Sequence, residues 1–354
     1  MPGQAVSAIV AIGLGVAVGF VLFVPFVALS YRRRGHLSLG RTVLWAGALV
    51  YFWAIWTYTL LPLPSRSDVR CVGYELDPLT LFRTLRGSLG EGVGMLTDPA
   101  FLQIALNVLL FMPLGFFLRV LGGRGVLLAL LGGLAVSLVI ETTQLTGVWG
   151  VYPCAYRVFD VGDLVTNTAG AVIGSVLAFL VPREHRGLTV SPQAHLPRPV
   201  TRGRRLLAML CDGIAYTLLS AGIGVAVTAW RLYVDGDVTA SADDAVATLA
   251  GTLGASVVWL VGILATGQSP GDATVHLRYR GGPVPQPIAR VLRWLGGIAG
   301  ISALGLLWSL AVPILLFVAL FMTVVTRGGR GLPGLVSGQE LTDARAAAAA
   351  SVRS

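Results

Sequence analysis

The chain has no lysine, three cysteines and four histidines, and only 12% of its 354 residues are charged. A soluble domain carries about 25% charged residues, so this scarcity argues against a water-soluble fold. Three cysteines without a Cys-x-x-Cys pair, and histidines that do not cluster, argue against a zinc centre. The absence of a nucleophile motif beside a histidine argues against a Ser-His-Asp triad. With lysine missing, the formal charge of +9 rests on arginine alone. Alongside 45 glycines and an excess of alanine and valine, this reads as composition bias rather than functional choice. The arginines gather between apolar runs, as membrane flanks do, so a nucleic-acid partner is not expected.

What fills the chain instead is apolar sequence, 55% hydrophobic with a mean hydropathy of +0.77. Several stretches of about 20 residues carry few or no charges, enough at roughly 1.5 Å per residue to cross a hydrocarbon core of about 30 Å. The expected class is an all-α polytopic membrane protein. Such long continuous runs do not suit a β-barrel. The first apolar stretch lacks a basic leader and a cleavage site and is expected to be a retained helix.

Helices are predicted over about 4–30, 42–61, 100–121, 126–146, 163–181, 206–232 and 245–266. The span 294–326 contains Pro313 and is read as a hairpin of two more, giving about nine helices, or eight if it is not split. The run "YRRRGHLSLGR" after the first helix places that loop in the cytoplasm and the N-terminus outside. The loop 63–99, with four arginines and five acids, suits the outer face. Residues 182–205 hold six arginines and four prolines and read as a cytoplasmic linker between a domain at 1–181 and another at 206–338. Val275, Leu277 and Tyr279 alternate with polar neighbours like a short strand. The residues 339–354 are expected to be a disordered tail on the cytoplasmic side. Cys71 and Cys154 both fall in outer loops, where an oxidising compartment permits a disulfide; two unrelated small residues are the alternative.

Polar residues inside the apolar runs form a pattern. Asp160, Asp163, Asn167, Gly170 and Gly174 are spaced 3, 4, 3 and 4, one helix face if the helix begins at Asp160 or earlier, and Arg157 extends that face by a turn. This could be an N-cap above a packing stripe of small residues. Ser137, Glu141 and Gln144 share a face of the preceding helix, with Glu141 about six residues from its outer end. A carboxylate at that depth costs several kcal/mol unless paired or protonated. Gln103 and Asn107 lie at similar depth one helix earlier. A shared site near the outer surface is expected, with Asn107, Glu141, Gln144, Arg157, Asp160, Asp163 and Asn167 as ligand-binding candidates. Glu141, Asp160 and Asp163 would be the oxygen ligands if Mg²⁺ or Ca²⁺ binds.

These residues carry a resemblance. "NVLLFMPLGFFLRVL" (107–121), "SLVIETTQL" (137–145) and "RVFDVGDLVTNTAGAVIGSVLAF" (157–179) together resemble the VanZ-like membrane family across residues 40–181. The matching positions are Asn107, Pro113 and Gly115; Ser137, Glu141 and Gln144; and Arg157, Asp160, Asp163, Asn167 and Gly170. The family is named for association with resistance to teicoplanin, and the resemblance implies the importance of these positions rather than a reaction. The second half resembles an RDD domain. "RLLAMLCD" supplies Arg205 and Asp212, and "GQSPGD" (267–272) has Asp272 where a lysine is common. "RGLPGLVSG" (330–338) has Gly334 where the second aspartate of that family stands.

The leading expectation is a bacterial plasma-membrane protein of the cell envelope whose site binds a polar lipid headgroup or a cell-wall precursor, with a role in glycopeptide resistance. A further membrane protein or a second copy is an open partner. The other readings are an ion- or proton-coupled transporter or flippase, a metal-dependent membrane hydrolase, and a scaffold without catalysis. With no evident nucleophile, an enzyme is the less favoured class.

Overall fold

The computed structural model describes residues 2–61, 63–65, 69–90, 92–183, 186–187, 190–241 and 244–346. His185 and the end of the expected tail, 347–354, lie outside the described residues. The chain divides into two compact units, one of residues 1–19 and 38–189, the other of 20–37 and 190–354. Among the described residues, seven helices are long and apolar enough to span a membrane, or eight if one bent pair counts as a span.

The first unit holds the start of α1 (Pro2–Arg34), then α2 (Leu39–Leu60), α3 (Pro78–Gly90), α4 (Pro99–Val120), α5 (Val126–Leu145), the single turn α6 (Gly147–Gly150) and α7 (Val161–Leu177). Side chains sort by face as a lipid-embedded helix requires. On α5, Leu127, Leu131, Leu134 and Leu138 are exposed, whereas Ala129, Gly133, Ser137, Ile140, Glu141 and Gln144 are buried. Nonpolar side chains turned outward have no cost in hydrocarbon, so the usual sense of burial is reversed for the polar ones.

Close contact between α4 and α7 sets the centre of this unit. A Cβ on Gly115 would fall 1.7 Å from the carbonyl oxygen of Ala171, and one on Gly174 would fall 1.7 Å from that of Met112. A Cβ on Gly170 would lie 2.3 Å from Val108 O, still well inside contact. The backbones therefore touch at positions where no other residue fits, which is how helices associate in the absence of a hydrophobic driving force. The small-residue reading of Gly170 and Gly174 thus describes the lower part of the α7 face. At its far end Arg119 donates to Ser175 O at 2.8 Å and lies 3.6 Å over the Phe179 ring.

Between α2 and α4, the expected loop contains the amphipathic α3 and the two-residue β1 (Tyr74–Glu75). This strand pairs in parallel with β2 (Phe159–Asp160), and Cys71 and Cys154 form a disulfide with their Cα atoms 5.5 Å apart.

The second unit contains the end of α1, then α8 (Arg202–Tyr233), α9 (Ala245–Thr266), α10 (Pro270–Thr274), β3 (Leu277–Arg280), α11 (Gln286–Leu295), α12 (Ile298–Gly305), α13 (Ala311–Val325), α14 (Gly331–Ser337) and β4 (Glu340–Asp343). The two helices expected over 294–326 are α12 and α13, with a break at 306–310. At 8 and 15 residues neither reaches the roughly 30 Å of a hydrocarbon core at about 1.5 Å per residue. The tail expected to be disordered from 339 begins with β4, which pairs antiparallel with β3. Asp343 is the reason it is held. Its carboxylate takes Arg204 at 2.8 Å, Arg345 at 2.7 Å and the Arg198 N–H at 3.0 Å, in a place only 5% exposed.

Candidate functional site

Helix α7 begins where Asp160 caps it. Asp160 has extended backbone angles, and its Oδ1 accepts the Gly162 N–H at 2.7 Å. Asp163 follows in the first turn, where the helix dipole favours an anion. Its Oδ1 accepts Asn107 Nδ2 from α4 at 2.7 Å. One turn deeper, Asn167 donates to Ser137 Oγ on α5 at 2.9 Å, both side chains buried. Gln144 Nε2 reaches the Thr59 carbonyl at the end of α2 at 2.8 Å. Four helices are thereby tied together through polar side chains at a common level.

Glu141 occupies the middle of this arrangement. It is 3% exposed, one turn from the C-terminus of α5, and its Oε2 accepts the Asp160 N–H at 3.2 Å. Arg157 approaches from a different direction than a continuous helix face would give. Because α7 starts only at Val161, Arg157 lies ahead of β2, in the loop, and its Nη1 donates to Thr59 O at 3.2 Å. Among the described residues it forms no ion pair with Asp160 or Asp163.

All seven ligand-binding candidates line one cavity of about 360 Å³: Asn107, Glu141, Gln144, Arg157, Asp160, Asp163 and Asn167. Its wall is completed by Gln103, Leu110, Ile140 and Val158, with Tyr58, Thr59 and Val72. The last three carry no intramembrane charge or polar spacing that would single them out in sequence. The volume falls in the usual range of small-ligand pockets, roughly 300–1,000 Å³. Val72 adjoins Cys71, and its N–H donates to Ala155 O at 3.0 Å, so the disulfide pins the rim of this cavity.

Residues 48–182 match the model of the VanZ/LLP1 family. The N-terminal part of the chain is VanZ-like, and the matched stretch contains α4, α5, α7 and every residue lining the cavity. No curated protein and no solved structure matches the chain. The three motifs that carry the VanZ-like resemblance are thus three helices of one pocket, with the glycines of the first and third making the helix contact beneath it.

Among the described residues no group of three or more histidine, cysteine or acidic side chains is disposed to hold a metal ion. Glu141 and Asp160 meet through the Asp160 backbone N–H. As arranged among the described residues, these side chains do not fit a Mg²⁺ or Ca²⁺ site.

Beyond the VanZ-like match, Arg205 and Asp212 share a second, much smaller cavity of about 30 Å³ in the other unit, with Ser269, Asp272, Tyr279 and Arg293. Arg205 pairs with Asp272 at 2.5 Å, which gives the acid at 272 a role that its place in the motif did not suggest. Asp212 accepts Ser269 Oγ at 2.6 Å and the Gly271 N–H at 2.7 Å. Gly334 is enclosed, since a Cβ there would lie 2.7 Å from Arg330 Cβ and 3.0 Å from the Tyr279 ring. An aspartate at that position has no room.

Proposed function

We propose that this is a cell-envelope protein of a bacterial plasma membrane whose VanZ-like unit binds the polar headgroup of a lipid or a lipid-borne cell-wall precursor. The observation that carries the reading is a 360 Å³ cavity lined by carboxylates, amides and an arginine in a unit whose outer faces are apolar. Hydrocarbon tolerates such a polar concentration only at a cost, and intramembrane polar groups are retained for ligands, ions or protons. A headgroup suits the position. The cavity lies beside the loops tied by Cys71–Cys154, and a disulfide persists in an oxidising compartment. That supports an opening toward the outer face and the expected orientation with the N-terminus outside. A contribution to glycopeptide resistance would follow from binding a precursor there and rests on the family resemblance alone.

For the second unit we propose an RDD-like module in which Arg205 and Asp212, near the N-terminus of α8, form a buried polar cluster with Asp272 of α10. The absence of room at Gly334 argues that the module here is structural, or a partner of the first unit, rather than a transporter needing an aspartate at that place.

The test is native mass spectrometry of the protein taken from its membrane, beside Asp163→Asn and Gln144→Leu variants. A specific anionic or zwitterionic lipid held by the wild type and lost roughly tenfold in both variants supports the site, since a hydrogen bond contributes about 0.5–1.5 kcal/mol when neutral and about 1.5–3 kcal/mol when charge-assisted. Absence of any retained lipid, with the variants folded, would move the reading to ion-coupled transport.

A further inference from the structure

The charges of the larger cavity are unbalanced. Glu141, Asp160 and Asp163 face a single guanidinium, that of Arg157. Asp160 and Asp163 are partly offset by the positive end of α7, as the cap and the first turn. Glu141 has the opposite situation. It stands one turn from the C-terminus of α5, where the dipole is negative and disfavours a carboxylate, and it is 3% exposed. One backbone N–H at 3.2 Å is the hydrogen bond it receives, and it has no ion pair within the described residues. A buried carboxyl group in this position is either protonated or met by a cation, and the cavity beside it has room for the second.

Two further observations give the complement a shape. Asn167, 5% exposed and lining the same cavity, leaves its Oδ1 buried without a hydrogen-bond partner, an acceptor awaiting a donor. Arg157 is the exposed member of the set, and its guanidinium has donors beyond the one given to Thr59 O. The cavity thus offers acceptors and negative charge in its interior and a cation at its rim.

We propose that the occupant pairs a primary ammonium with a phosphodiester, the ammonium entering toward Glu141 and the phosphate staying at Arg157. This rests on the headgroup reading above and narrows it to an aminoalkyl phosphodiester. A purely anionic headgroup would add a fourth negative charge to the three carboxylates and bring no cation to offset it. A quaternary ammonium would supply charge without the N–H donors that Glu141 and Asn167 lack.

The full chain in detergent is titrated with phosphatidylethanolamine, phosphatidylcholine and phosphatidylglycerol of equal acyl length, and with soluble glycerophosphoethanolamine. Binding is read by native mass spectrometry. The expected result is about tenfold or greater preference for phosphatidylethanolamine over the other two lipids. Glu141→Gln removes that preference without weakening phosphatidylglycerol, and Arg157→Gln weakens both. Should Glu141→Gln fail to fold, the wild-type ranking alone decides. Phosphatidylglycerol binding tightest overturns this inference and leaves the headgroup reading standing. No lipid bound at all overturns both. Glycerophosphoethanolamine binding as tightly as its lipid supports the ammonium–phosphate chemistry and shows a water-soluble source, against the lipid reading.

Discussion

Asn107 on α4 donates to Asp163 on α7, and twelve residues further along each helix Arg119 donates to Ser175. Equal steps on both helices mean that α4 and α7 run side by side in the same direction, held at one end by a carboxylate and at the other by a guanidinium. Between these ties the backbones touch at Gly115, Gly170 and Gly174. The polar cavity and the packing seam are consecutive stretches of a single helix pair.

The seam predicts a steep response to volume. Gly174→Ala places a methyl group where the Met112 carbonyl stands, so the helices must separate. The expected loss is about 1–3 kcal/mol, the usual size of overpacking, seen as a lower melting temperature in detergent. Gly213, with open space around its Cβ position, serves as the control and should tolerate alanine.

Joining Cys71 to Cys154 closes a loop of 83 residues over the cavity rim. Cys154→Ser is expected to destabilise the first unit by about 2–5 kcal/mol, and reduction of the wild type should reproduce the effect. In intact cells, a membrane-impermeant maleimide should label both cysteines after mild reduction. Labelling only in inverted vesicles would reverse the proposed orientation.

The second unit should weaken in acid in two stages. Burial, then the charge of Arg345, pushes the His276 imidazole below its ordinary value, with Arg204 and Arg32 adding and Asp343 opposing. Burial alone would raise the Asp343 carboxyl, but hydrogen bonds from Arg345 and the Arg198 N–H, with Arg204 alongside, hold it well below the usual carboxylate range. Both groups bind protons more readily unfolded than folded. Each therefore contributes stability at neutral pH that is lost as pH falls, His276 from about pH 6.5 downward and Asp343 from about pH 4 downward. Proteolysis of the strand 340–343 should accelerate in those two windows. His276→Asn, whose side chain suits the left-handed backbone at φ 56°, should abolish the upper one only.

Gly334→Asp would restore the residue that the RDD resemblance leads one to expect. It should destabilise rather than repair, because the new side chain meets Arg330 and the Tyr279 ring. A gain in stability or a new ion dependence would show that α14 can open to accept it.

Much of this was legible in the chain because the membrane makes polar residues conspicuous. Glu141, Asn107 and Asp163 stand out in apolar runs, and their common depth pointed to one site. Helix α9 falls on its predicted residues because Asp244 caps one end and Gly267, at φ 72°, closes the other. The approach of Arg157 was misread, since spacing extends a helix backward past a cap that its backbone does not follow. Tyr58, Thr59 and Val72 reach the cavity by tertiary placement, Thr59 through a carbonyl that sequence cannot mark. The 294–326 stretch divides into two helices as its length and Pro313 imply, but hydropathy does not report how short each one is once the break between Gly305 and Ala311 is taken out.

The central claim, that a headgroup occupies the cavity lined by the VanZ-like motifs, is tested most directly by photocrosslinking in native membranes from Val158, a wall residue without a polar partner to lose. With a diazirine amino acid at that position, the account predicts a lipid adduct in otherwise wild-type protein that is lost on adding Asp163→Asn together with Gln144→Leu. An adduct of equal yield in both, or none above that from lipid-facing Leu127, would contradict it.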